Sequence, residues 1–190
     1  MRRIIRTPSI VGFEFEDKTK QILLQTNGQY FSEHDVSNKF GGIKVIDHLL
    51  ICSRNENSLA IAIQNKWTAS REGLKNINYF RCGVDDLYKH IKIPIIAIYL
   101  TKSELTKNAQ ESLNGANTNT NINAIVYRVI SGSNEQNLFN SLAELLYSHQ
   151  IYFYDFEGCT IMLPLYNETV QINQNNQIIQ TGQTSQAFWI

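Results

Sequence analysis

The chain has 190 residues, of which 43% are hydrophobic and 18% charged, with 17 basic side chains against 17 acidic ones. That length supports one domain with its own hydrophobic core, so neither a disulfide framework nor a structural metal is needed for folding. The cancelled charge excludes a global basic surface for nucleic acid and leaves only a local basic cleft.

Taken in order, the pattern predicts an alternating α/β protein. Gly12 to Gln25 reads as a helix with Glu14, Glu16 and Asp17 in its opening turns, where the helix dipole favours acids. Asn27-Gly28 marks a turn, and Tyr30 to Phe40 is polar and indeterminate. After Gly41-Gly42, the run Ile43 to Ile51 alternates as a strand, and Leu59 to Ile63 is a nearly continuous apolar strand of a sheet interior. The polar turn Ser53 to Asn57 between them makes a hairpin. Gly73 to Ile91 has helical spacing, Ile93 to Leu100 is a buried strand, and a short helix capped by Thr101 or Ser103 runs to about Leu113. A loop from Asn114 to Asn123, a strand from Ala124 to Ile130 and a helix from Glu135 to His149 complete a mixed sheet with helices on both faces.

Residues 1–150 form this domain, and residues 151–190 read as an extension of different character. Ile151 to Leu165 is aromatic, and a Gln recurs at Gln171, Gln174, Gln177, Gln180, Gln183 and Gln186, a period of three that suits neither helix nor strand. Phe188-Trp189-Ile190 is either a docked anchor or a tip for a protein partner. The longest apolar stretch falls far short of the ~20 residues of a membrane span, and no secretory signal opens the chain. Cys52, Cys82 and Cys159 are scattered without a C-x-x-C pair, as for thiols in a reducing compartment. An intracellular, soluble protein is expected.

Chemistry concentrates on the hairpin. Asp47 lies in its first strand beside Val45 and Ile46, and Gln64 and Lys66 share one face at the end of its second. An acid, an amide oxygen and an ammonium converging there suit a hard divalent cation beside an attacking water. Asp47 followed by Gln64-Asn65-Lys66 resembles the signature of the PD-(D/E)XK, or restriction-endonuclease-like, nucleases, in the variant with Gln at the second acid. Gly12-Phe13-Glu14-Phe15-Glu16 is similar to the Gly-x-x-Phe-Glu that often opens this family's first helix, and the whole pattern is similar to the Mrr-type branch.

The resemblance covers roughly Gly12 to Ile130 and implies an αβββαβ core. It implies a Mg²⁺- or Mn²⁺-dependent DNA endonuclease, whether restriction-type, Mrr-type or junction-resolving, hydrolysing phosphodiesters by metal-activated water. Asp47 would be the main metal ligand, with Gln64, the Asn65 carbonyl and Glu16 completing the set, and Lys66 would polarise water or phosphate. The chain departs from the pattern at Ile46, where the family has Pro, and at the neutral Gln64, which weakens the negative field on a cation. Neutral net charge points to a local basic channel, or to a homodimer that combines two modest basic patches on DNA.

The flanking residues carry plainer readings beside the functional ones. Trp67 stacks on a base or packs in the core, and Arg71 and Lys75 contact phosphate or line a solvated helix face. Arg2 and Arg3 form a basic arm for DNA or an ordinary basic terminus, and His48 is structural. The competing function is a catalytically inactive nucleic-acid-binding or assembly module on the same fold.

Overall fold

The computed structural model describes residues 8–43, 45–54, 57–68, 70–118 and 124–151, together with the short segments 153–154, 160–161, 171–172 and 178–179. Helix α1 (Pro8–Leu24) opens on a proline, whose missing N–H is no loss in a first turn, and buries Phe15, Thr19, Ile22 and Leu23 along one side. Because the helix begins before Gly12, Glu14, Glu16 and Asp17 lie beyond its first turn. The expected dipole stabilisation therefore does not apply to them.

The indeterminate segment folds as strand β1 (Gln29–Ser32) and helix α2 (Glu33–Lys39). A capping box makes the switch: the Ser32 side chain accepts from the Asp35 N–H at 3.4 Å, and the Asp35 carboxylate accepts from the Ser32 N–H at 3.0 Å. Gly41 and Gly42, at φ of 83° and 84°, then turn the chain back toward the core in a conformation that side chains with a Cβ resist.

Strand β2 runs from His48 to Arg54, so the strand expected from Ile43 begins later. The apolar residues of that run are buried, with Ile43, Val45 and Ile46 all in the core, but they enter it from a loop without ladder pairing. Strand β3 (Asn57–Lys66) completes the antiparallel hairpin, with His48 opposite Ile63. Helix α3 (Leu74–Ile91) buries Ile77, Phe80, Val84 and Leu87 at helical spacing and stops at Lys92, in the left-handed region at φ 52°, ahead of Pro94. Strand β4 (Ile95–Thr101) is buried throughout, as befits an inner strand.

Helix α4 (Lys107–Thr118) starts later and ends later than predicted. Thr101 belongs to β4, Ser103 bonds the Thr68 carbonyl, and the helix continues past Leu113 because Ala116 is buried and Asn117 is tied to the next strand. Strand β5 (Ile125–Ser131) and helix α5 (Glu135–Ser148) match expectation closely, with Asn134 capping α5.

The sheet order is β1-β2-β3-β4-β5, antiparallel across the first pairs and parallel from β3 to β5. One face is covered by α3 and α4 and the other by α1 and α5, each over its own apolar cluster. This is the mixed α/β sheet flanked by helices that the pattern predicted, with α1-β1-β2-β3-α3-β4 in the expected αβββαβ order and α2 inserted. Four short strands pair as β6 (Phe153–Tyr154) with β7 (Thr160–Ile161) and β8 (Gln171–Ile172) with β9 (Ile178–Ile179). Cys159 and Phe188-Trp189-Ile190 lie outside the described residues. Among those described, no helix is long and apolar enough to cross a membrane.

Candidate active site

The site forms where β3 and β4 end at their carboxyl termini, beside the start of β2. Asp47 does not lie inside a strand, as predicted, but immediately before one. Its N–H donates to the Ile63 carbonyl at 3.0 Å, which extends the ladder by one step and sets Asp47 across from Gln64. On its other flank β1 ends with Ser32 opposite His48, so Glu33, the first residue of α2, follows directly beside it.

The Asp47 Oδ2 accepts from the Gln64 side-chain amide at 2.8 Å and from the Asn65 backbone N–H at 2.6 Å. Burial pushes its carboxyl up to about 7. The Asn65 bond and the Lys66 ammonium oppose that rise, while the charges of Glu16 and Glu33 add to it. Glu16 reaches the same region from α1 and is itself raised, by burial first and by Glu33 next, against the pull of Lys66. Glu16, Glu33, Asp47 and Lys66 therefore feel one another's charge. Glu33 was not among the predicted residues. The signal for it is the Ser32-x-x-Asp35 pattern, which marks a helix start in an otherwise aperiodic stretch.

Glu72 is a second residue the sequence reading missed. Only 2% exposed, it lies on the face of the sheet that carries Gln64 and Lys66. Its carboxylate accepts from Thr68 Oγ1 at 2.6 Å, Asn76 Nδ2 at 2.8 Å and the Tyr99 hydroxyl at 3.0 Å. Burial alone would raise its pKa, but these bonds and the Lys66 charge hold it below the ordinary value, so it stays ionised. Its backbone also joins the two loops that leave the sheet here, donating to the Glu104 carbonyl at 3.0 Å and accepting from the Thr106 N–H at 2.9 Å.

Behind the sheet, under α1, runs a separate buried polar chain. Asn65 Nδ2 donates to Thr19 Oγ1 at 3.0 Å and to His48 Nε2 at 3.2 Å. His48 Nδ1 lies 2.9 Å from the Tyr30 hydroxyl. Since an amide nitrogen only donates, Nε2 is the bare nitrogen and Nδ1–H donates to Tyr30. Burial, aided by the charge of Lys20, lowers His48 to about 4, so the ring is neutral, as its predicted structural role requires. Burial also pushes Tyr30 up to about 12, helped by the charges of Asp35, Asp47 and Asp17.

Of the residues predicted to touch nucleic acid, Trp67, Arg71 and Lys75 follow the end of β3. Trp67 is half-buried, its ring centroid 4.7 Å from that of Phe15 and Lys102 Nζ 4.7 Å over its face. Arg71 and Lys75 are exposed, and Arg71 pairs with Glu104 at 3.1 Å. Arg2 and Arg3 lie outside the described residues.

The predicted ligand donors are all hard oxygens: the Asp47 and Glu16 carboxylates, one side-chain amide and one main-chain carbonyl. That set fits Mg²⁺ or Mn²⁺ in type rather than a thiolate-loving metal. Two carboxylates raised by burial and by the charge of neighbouring acids are also the kind of acceptor a divalent cation relieves. The Gln64 amide presents its NH₂ group to Asp47, so it has to rotate to offer its oxygen. Among the described residues no three His, Cys, Asp or Glu side chains converge closely enough to hold a metal by themselves. Gln64 and the Asn65 carbonyl would therefore have to complete the shell, with Glu16 acting at longer range.

No family model matches the chain, and neither does any curated protein. Among solved structures, a protein of unknown function is similar over 63% of this chain and 58% of its own, at 14% identity and a TM-score of 0.39. A repair endonuclease from Pyrococcus abyssi is similar over 69% of this chain and 50% of its own, at 10% identity and a TM-score of 0.35. EndoMS in complex with double-stranded DNA is similar over 68% of this chain and 47% of its own, at 14% identity and a TM-score of 0.38. The chain spans between 47% and 58% of the length of these three structures.

Proposed function

We propose that this chain is a Mg²⁺- or Mn²⁺-dependent DNA endonuclease of the Gln-x-Lys type, related to the Mrr-type branch of the PD-(D/E)XK nucleases. The observation that carries this reading is the placement of Asp47, Gln64 and Lys66 at one corner of the sheet, with the Glu16 charge reaching Asp47 from α1. A bound cation would supply Lewis-acid stabilisation of the phosphoryl oxygens and a more acidic water.

The chain's own residues do the rest. Asp47, Gln64 and the Asn65 carbonyl would hold the cation, with Glu16 reaching it through water, and the Asn65 N–H keeps the Asp47 carboxylate in a single orientation by a 2.6 Å bond. Lys66, on the same strand face as Gln64, brings a positive charge to orient the nucleophile or to offset charge developing on the scissile phosphate. Arg71 and Lys75 would meet the DNA backbone beside it, with Trp67 and an N-terminal arm bearing Arg2 and Arg3 extending that contact. A homodimer would join two such patches on one duplex, and residues 151–190 would serve a protein partner.

One observation favours the alternative, a catalytically inactive nucleic-acid-binding or assembly module. Gln64 already satisfies Asp47 through its NH₂ group, an arrangement stable without a cation. Incubating supercoiled plasmid with the protein in Mn²⁺ and in Mg²⁺ separates the two. Nicking or linearisation that disappears in Asp47→Asn, which keeps both hydrogen bonds, is the expected result. No cutting in either metal would favour the inactive module.

A further inference from the structure

Strand β3 points Ala60 and Ala62 toward one layer of helices and Ile61 and Ile63 toward the other. Asn65 continues the second row, so an amide only 4% exposed interrupts an apolar stripe. Its Nδ2 is used twice, but its buried Oδ1 meets no donor among the described residues. An isoleucine there would prolong the stripe and leave no such orphan, so burial does not account for the amide. Its contacts do. Thr19 lies on α1 one turn after Glu16, His48 follows Asp47, and Asn65 itself lies between Gln64 and Lys66. One side chain thus ties together, from behind the sheet, the three segments that carry the candidate site, while its own backbone N–H reaches forward to Asp47.

Resting on the hydrolase reading of the same site, we propose that the Asn65 side chain is a positioning residue. It sets the end of β3 against α1 and β2 so that the Asn65 N–H meets the Asp47 carboxylate and aims it at the cation. It touches neither substrate nor metal through its amide. The device acts through main-chain placement, which an apolar side chain of similar volume cannot reproduce because it has nothing to offer Thr19 or His48.

The test compares Asn65→Leu with Ile61→Val, a control on the same face that loses packing without touching the polar chain. Mn²⁺ affinity is measured by calorimetry, and the residue-65 backbone amide proton is followed by NMR in metal-free protein. Asn65→Leu is expected to weaken Mn²⁺ binding at least tenfold, in line with outer-shell changes at other metal sites, and to move its amide proton upfield as the short bond to Asp47 lengthens. Ile61→Val should do neither. A folded Asn65→Leu protein with unchanged affinity and unchanged amide shift overturns the proposal. If Asn65→Leu does not fold, Thr19→Val serves instead: it removes one of the two bonds, should shift both readouts the same way by a smaller amount, and overturns the proposal if it shifts neither. If the wild-type protein shows no Asp47-dependent Mn²⁺ binding, the hydrolase reading fails by itself. The amide resonance then decides positioning: a moved signal keeps it and an unmoved one ends it.

Discussion

At the scale of single residues, Asp47 and His48 are neighbours that titrate in opposite senses. Folding raises Asp47 from 3.8 to about 7 and lowers His48 from 6.5 to about 4. Between those limits the folded chain holds the Asp47 proton that the unfolded chain has released, so this residue's contribution to stability falls as pH rises. The unfolded chain holds the His48 proton that the folded chain refuses, so that residue's contribution rises with pH over its own window. In metal-free protein the two nearly cancel from about pH 4 to 6.5. Asp47→Asn removes the first and leaves the second. Relative to wild type, its stability should climb with pH by up to about 1.4 kcal/mol per pH unit across pH 4–7, as read by denaturant titration in EDTA. A difference between the two proteins that does not change with pH would mean that Asp47 titrates normally.

At the scale of elements, the segment that delivers Asp47 is held by packing rather than by a ladder. Gly83 on α3 leaves room for it: a Cβ there would lie 1.8 Å from Val45 Cγ2 and 3.3 Å from Val45 Cβ. Val45 is β-branched and cannot swing aside cheaply. Gly83→Ala should therefore destabilise the fold by about 1–3 kcal/mol despite alanine's better helix propensity, and adding Val45→Ala should restore much of the loss. Thermal unfolding of the single and double variants checks this, and a stabilised Gly83→Ala protein would show that α3 does not press on the loop. The same packing explains why this loop passed for a strand. Ile43 and Val45 are both buried, and alternating apolar residues in a sequence do not by themselves distinguish a ladder from a loop laid against a helix.

At the scale of the whole molecule, the site joins parts far apart in the chain: α1, the α2 start, the β2–β3 hairpin and the loops after β3 and β4. A ligand that binds only this assembled form stabilises all of it. Mn²⁺ at about a hundred times its dissociation constant should add roughly 2.7 kcal/mol of stability, and Asp47→Asn should abolish the gain. For a chain of this size that amounts to a rise in Tm of roughly 5–10 °C. An equal rise in the variant would place the cation elsewhere.

Local chemistry makes much of this legible in the sequence alone. Long periodic stretches such as α3 and α5 and the inner strands β3 and β4 follow from side-chain spacing, because burial imposes its period on each element directly, whereas Glu16, Asp47, Gln64 and Lys66 stand out through their resemblance to a nuclease signature. Short elements such as β1 and α2 were not legible, since four and seven residues hold too little periodicity to register. Nor was the environment of any acid. Glu33 and Asp47 are neighbours because β1 pairs with β2, and Glu72 stays ionised because Thr68, Asn76 and Tyr99 converge on it from three segments. Asn65 faces His48 and Thr19 only once α1 lies across the sheet. Charge, solvation and hydrogen bonding depend on distances between residues remote in the chain, and those distances exist only in the folded molecule.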